Sequence, residues 1–141
     1  MYLDSAYIAK YYVNEPDAGA VRSLICGASY ICSSSWALTE VTCVFHRHVR
    51  EGWLSLRQGR ELMDLFRRHV EADLWNLAPV SQALQRRTVS MIRALPQDVP
   101  LRAGDALHLA TALEIGEPEI WTNDRHLLAV APHFGIAGRS V

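Results

Sequence analysis

The stretch RAGDALHLATALEIGEPEIWTND, residues 102–124, carries the reading of the fold. It opens as a helix after Pro100 that is apolar nearly all the way round, the pattern of a helix covered on most sides, and continues into a short strand at EIWTND. Two polar residues interrupt that apolar helix: Asp105 in its first turn and His108 three residues later.

The same alternation of helix and strand extends outward in both directions. MYL reads as a very short strand that runs into Asp4, and SAYIAKYYVNE (5–15) as a helix that stops before Pro16. DAGAVRSLICG (17–27) reads as a helix with Asp17 as its cap and Gly27 at its end, followed by strand character in SYICSS. Ser35 is placed to cap the helix at 36–52, and with the helix at 55–72 this forms a helical hairpin. LWNLAPV (74–80) is a strand, 81–96 a helix, RHLLAVAPHFG a short helix, and IAGRSV a last edge strand. Strands that alternate with helices predict a three-layer α/β/α sandwich around a central, mainly parallel sheet, with the hairpin added, in a single domain spanning 1–141.

Composition sets the outer bounds. A chain of 141 residues buries roughly two thirds of the surface that its unfolded form exposes, so it needs neither disulfides nor a structural metal. Half the residues are hydrophobic and the net charge is −1, which excludes a disordered chain and names no partner. Cys26, Cys32 and Cys43 lack zinc-site spacing and read as reduced core residues of a cytoplasmic protein. No apolar run approaches a membrane span. Of the fourteen basic residues only Lys10 is a lysine; arginine suits phosphate, but a GC-rich genome produces the same excess.

Chemistry in an open parallel sheet belongs beyond the carboxyl ends of its strands. Asp4 follows the first strand, Asp124 follows IWTN, Glu40 sits one turn into the helix after the second strand, and Asp105 opens the quoted helix. Each also has a plainer role: Asp4 and Asp124 as helix caps, Asp105 as an acid favoured by the helix dipole. Glu40 fits such a role less well, because it lies at the margin of the apolar arc of Ala37, Val41 and Phe45, where an unpaired carboxylate is costly to desolvate. If all four converge, two ionised carboxylates about 4 Å apart repel by roughly 4 kcal/mol at an effective dielectric near 20. Protons or a cation must offset that. An all-oxygen site suits Mg²⁺ or Mn²⁺, while Lys10, Arg47 and Arg125 offer another source of positive charge.

YLDSA at 2–6, SSSWALTEV at 33–41, LRAGDALHLATALEIG at 101–116 and IWTND at 120–124, in that order, resemble the PIN-domain ribonucleases, and within them the VapC-type toxins of bacterial toxin–antitoxin pairs. The likeness covers essentially the whole chain. The family's acids fall on Asp4, Glu40, Asp105 and Asp124, and its hydroxyl or amide positions on Ser5, Thr122 and Asn123. The resemblance implies endonucleolytic cleavage of single-stranded RNA at one or two divalent ions, Mg²⁺ or Mn²⁺, with Asp4, Asp105 and Asp124 holding metal and Glu40 ligating it or orienting the attacking water. It also implies a homodimer silenced by a small antitoxin protein, with no membrane association. One departure is the short first strand, since family members commonly carry another residue or two before the aspartate.

Other features stay open at this level. His108 is placed to hydrogen-bond Asp105, to transfer a proton or to pack; His46 and His48 face different ways, and His69, His126 and His133 have no visible partner. The hairpin carries Arg47, Arg50, Arg57, Arg60, Arg67 and Arg68, a basic rim for RNA or a solvated face. Leu62, Leu65 and Phe66 form a stripe for core, dimer seam or antitoxin groove. A phosphoaspartate receiver is excluded because YLDS has one acid and LWNLAPV none, and a D-x-D phosphatase because position 6 is alanine. The rivals that stand are a non-catalytic PIN-like module that binds RNA or protein, and a solitary RNA-processing nuclease.

A metal role for Asp105 predicts that Asp105→Asn keeps the fold, seen by circular dichroism, and loses divalent-ion affinity in a calorimetric titration. A large drop in stability with metal binding unchanged would instead mark Asp105 as a helix-end residue.

Overall fold

A computed structural model describes residues 1–141. Five short strands form one sheet: β1 (Tyr2–Leu3), β2 (Cys32–Ser34), β3 (Asn76–Ala78), β4 (Glu119–Trp121) and β5 (Ala137–Arg139). Their order is β3-β2-β1-β4-β5, and every neighbouring pair is parallel. The helices are α1 (Ser5–Tyr12), α2 (Ala18–Cys26), α3 (Ala37–Arg50), α4 (Leu56–Glu71), α5 (Gln82–Ala94), α6 (Ala103–Glu114) and α7 (Arg125–Val130), with a 3₁₀ turn at Ala131–Phe134. This is the expected α/β/α sandwich. No helix is long and apolar enough to cross a membrane.

The layering follows from the two-residue period of a strand. Tyr2 stands opposite Cys32 and Ile120 in register, and all three pack with Leu109, Ala112, Leu127 and Val130 of α6 and α7 on one face. One residue on, Leu3 stands opposite Trp121 and packs with Tyr7, Ile8, Val21, Val41, Phe45 and Phe66 of α1 to α4 on the other. A strand of two residues suffices because both side chains are fully buried and the Asp4 N–H still donates to the Trp121 carbonyl at 3.1 Å. The short first strand therefore leaves Asp4 at the sheet edge.

The hairpin of α3 and α4 turns at Gly52, whose φ of 79° suits glycine, and α4 starts with a capping box between Ser55 and Gln58. Phe66 is buried and Leu62 packs against the same cluster, so much of the apolar stripe is core. Several local expectations are corrected. Asp17 holds the N-cap position of α2 but makes no capping bond, because its own backbone is left-handed at φ 65°. Ser35 accepts from the Val80 N–H instead of capping α3, and Ser34 Oγ takes the Trp36 N–H. Of the three free thiols only Cys32 is buried: Cys43 lies on the face of α3 turned away from Val41 and Phe45, and Cys26 ends α2 at the surface. His69 does have a partner, the Tyr12 hydroxyl at 2.8 Å, within an aromatic group that includes Trp75.

Gly59 is buried where α4 meets α3, and a Cβ there would stand 2.3 Å from Val49 Cγ2. Exposed helical glycine normally gains about 1 kcal/mol on replacement by alanine. Gly59→Ala should reverse that sign and destabilise by about 1–3 kcal/mol, because a β-branched neighbour cannot rotate away. A denaturant melt with an unchanged or raised midpoint would contradict this packing.

Candidate active site

The four carboxylates picked out in the sequence come from four separate stretches and line one pocket of about 310 Å³ at the carboxyl ends of the strands. Parallel strands bring this about by carrying Asp4 out of β1 and Asp124 out of the turn after β4 to the same edge. Glu40 lies in the first turn of α3, and Asp105 in the first turn of α6.

Asp4 and Asp124 are caps and pocket residues at once. Asp4 Oδ1 accepts the Tyr7 N–H at 2.8 Å at the start of α1, while Oδ2 accepts the Thr122 hydroxyl at 2.5 Å. Asp124 Oδ1 accepts the N–H groups of His126 and Leu127, and its Oδ2 accepts from the Arg102 Nη2. Thr122 ties the pair together, since its hydroxyl also receives the Asp124 N–H at 2.9 Å. Asp105 is held by Arg102 Nε at 2.8 Å through Oδ2. The guanidinium thus bridges Asp105 and Asp124.

Glu40 resolves the question raised by its place beside the apolar arc. Its Oε2 accepts the Ser5 hydroxyl at 2.5 Å and faces His108 Nε2 at 2.9 Å, while His108 Nδ1 meets the buried Tyr2 hydroxyl at 2.9 Å. His108 therefore serves Glu40, across the pocket, and not Asp105 on its own helix. α6 approaches Glu40 closely at Gly104, where a Cβ would stand 2.5 Å from Glu40 Oε1 and push that carboxylate aside.

These surroundings separate the acids. Burial pushes the Asp4 carboxyl above the ordinary aspartate range, more than its bonds from Thr122 and Tyr7 pull it down. Burial acts in the same sense on Glu40 and Asp124 but is outweighed. His108 and Ser5 hold Glu40 below its usual value, and Arg102 with the α7 N–H groups does the same for Asp124.

The cation that the site uses was missed in the sequence. Arg102, not Lys10 or Arg125, neutralises the pocket; its three-residue spacing to Asp105 was the available signal. Lys10 lies over the Tyr7 ring, and Arg47 lines the pocket but pairs with Glu15 at 3.0 Å. Asn123 does not line the pocket; its side-chain oxygen accepts from Tyr7 and Ser140. His48 is buried with Nε2 3.4 Å from Glu15, away from the four acids. On the hairpin Arg50, Arg57 and Arg67 pair with Glu51, Glu61 and Glu71, so much of its positive charge is answered locally. Exposed pairs of this kind contribute about 0–1 kcal/mol and exchange readily.

No three His, Cys, Asp or Glu side chains stand together in metal-holding geometry. The donor chemistry nevertheless fits a hard divalent ion: five pocket carboxylates, counting Glu15, face two guanidinium groups, and every acidic donor is oxygen.

The family model of the PIN domain matches residues 1–132. Among solved structures, Mycobacterium tuberculosis VapC20, described as a sarcin–ricin loop cleaving toxin, superposes with a TM-score of 0.71 at 14% identity, over 92% of this chain and 93% of that one. No curated protein sequence matches.

Because the raised Asp4 pKa means that the folded state disfavours its ionised form, charged Asp4 costs stability at neutral pH, and the cost fades as pH falls through that pKa. Asp4→Asn, which keeps an acceptor for the Tyr7 N–H, should therefore raise the melting temperature of the metal-free protein at pH 7, by about 2–4 °C for each kcal/mol relieved. The gain should shrink in acid. A lower melting temperature at pH 7 would show that the Thr122 and Tyr7 bonds outweigh burial.

Proposed function

This chain belongs to the PIN-domain family, and on that footing we propose that it is a metal-dependent endoribonuclease that cleaves single-stranded RNA as the toxin of a toxin–antitoxin pair. The observation that carries the reading is the gathering of Asp4, Glu40, Asp105 and Asp124 into one pocket whose carboxylates outnumber its guanidinium groups. Such a pocket repels a phosphodiester unless a cation of higher charge is bound. The reading includes a cytoplasmic single-domain homodimer, silent while a small antitoxin covers the pocket.

Asp4, Asp105 and Asp124 would hold Mg²⁺ or Mn²⁺. When bound, the ion supplies activation of water near neutral pH and stabilisation of the charge that builds on phosphate. The chain's own contribution is to fix the donors. Capping bonds to Asp4 Oδ1 and Asp124 Oδ1 set the tilt of both carboxylates, while Thr122 holds the second oxygen of Asp4 and Arg102 the second oxygen of Asp124. Ser5 and His108 orient Glu40, which in this reading positions the attacking water or adds a fourth carboxylate. Tyr2 in turn holds the His108 ring from the buried side. Arg47, at the pocket mouth, is released to a phosphate by breaking one partly exposed pair.

Purified protein should cut single-stranded RNA in Mg²⁺ and stop in EDTA, and Asp4→Ala should lower the rate about 100-fold, some 2.7 kcal/mol of transition-state stabilisation. Cleavage that survives both EDTA and the substitution would sink the metal mechanism. No cleavage of any RNA, structured or single-stranded, would favour a binding module.

A further inference from the structure

We propose that Arg102 is an exchangeable internal cation: its guanidinium occupies the space between Asp105 and Asp124 that a divalent ion would take, and metal entry displaces it. The proposal rests on the metal-dependent reading above.

Four observations support it. Arg102 stands at the N-cap of α6 with extended backbone and makes no capping bond, so its side chain is not needed to start the helix. Nε binds Asp105 Oδ2 and Nη2 binds Asp124 Oδ2, one planar fork joining acids from two elements. Those are the oxygens that the backbone does not use, and so the ones left for a metal. The Arg102 side chain is 60% exposed while the Asp105 and Asp124 side chains are 15% and 30% exposed; the cation lies at the mouth and can swing into solvent without unpacking the core.

Charge sets the direction of the coupling. One guanidinium leaves two ionised carboxylates under-neutralised, and a divalent ion between them supplies twice the charge. Both cations cannot share the space without repulsion. Occupancy by Arg102 and metal affinity must therefore oppose one another, and each weakens the other equally. Without Arg102 the two acids would still be held close by the fold, with greater demand for an ion.

The test uses the full chain without RNA. Mn²⁺ binding is measured by calorimetry for wild type, Arg102→Gln and Arg102→Lys, and thermal melts are recorded with and without Mn²⁺. If the guanidinium fills the site about nine-tenths of the time, Arg102→Gln should bind Mn²⁺ about tenfold more tightly, with Arg102→Lys between, since an ammonium cannot bridge both acids. Arg102→Gln should melt below wild type without metal, and Mn²⁺ should raise its melting temperature further than it raises that of wild type. Equal and measurable Mn²⁺ affinity in wild type and Arg102→Gln would overturn the exchange alone, leaving Arg102 a clamp between α6 and α7. A lower melting temperature with no added rescue by Mn²⁺ would overturn it likewise. Absence of Mn²⁺ binding by any of the three proteins would overturn the metal-dependent reading and the exchange with it.

Discussion

Carboxylates brought to one edge of a parallel sheet repel one another, and each must find positive charge or hydrogen-bond donors before the sheet can close around it. Three different solutions operate within one pocket. Asp4, the most deeply buried of the four, takes a hydroxyl and a backbone N–H and is left with a raised pKa. Glu40 takes a hydroxyl and an imidazole. Asp105 and Asp124 share a guanidinium. The close approach of α6 at Gly104, the burial of His108 against Tyr2, and the extended entry of the chain into α6 at Arg102 all serve one of these three arrangements.

A carboxylate has two oxygens, and that fact removes the apparent choice between helix cap and site residue. At Asp4 and Asp124 one oxygen satisfies the orphan N–H groups of the following helix, and the other takes a second partner, the Thr122 hydroxyl at Asp4 and the pocket-lining Arg102 at Asp124. The cap does more than start the helix. It fixes the carboxylate plane relative to the sheet, which is what a site needs from its donors. Asp105 has no such anchor and relies on Arg102, so it is the acid whose position depends most on the cation beside it.

Much of this was legible along the chain. Helix and strand succeed one another where apolar spacing and turn residues place them, and the four acids follow strands or open helices, positions that the sequence pattern alone marks. His108 was visible as an oddity on an apolar helix but not as the partner of Glu40, which is 68 residues away. The core location assigned to Cys26 and Cys43 failed because apolar neighbours in sequence do not fix the side of a helix on which a residue lies. The basic hairpin looked like a patch because its glutamates are spread singly between the arginines, while the helix turn brings them into i, i+4 register.

By itself the sequence determined the alternation of elements, the parallel sheet that follows from it, and the four acidic positions, because these depend on periodicity and on what directly follows a strand. Only the tertiary structure decided which acids share a partner, that Arg102 and not Lys10 or Arg125 supplies the charge, and that Thr122 takes the second oxygen of Asp4 while Arg102 takes that of Asp124. The physical reason is range: propensity and capping act over three or four residues, whereas electrostatic pairing across a pocket depends on distances that exist only once the sheet has brought distant segments together.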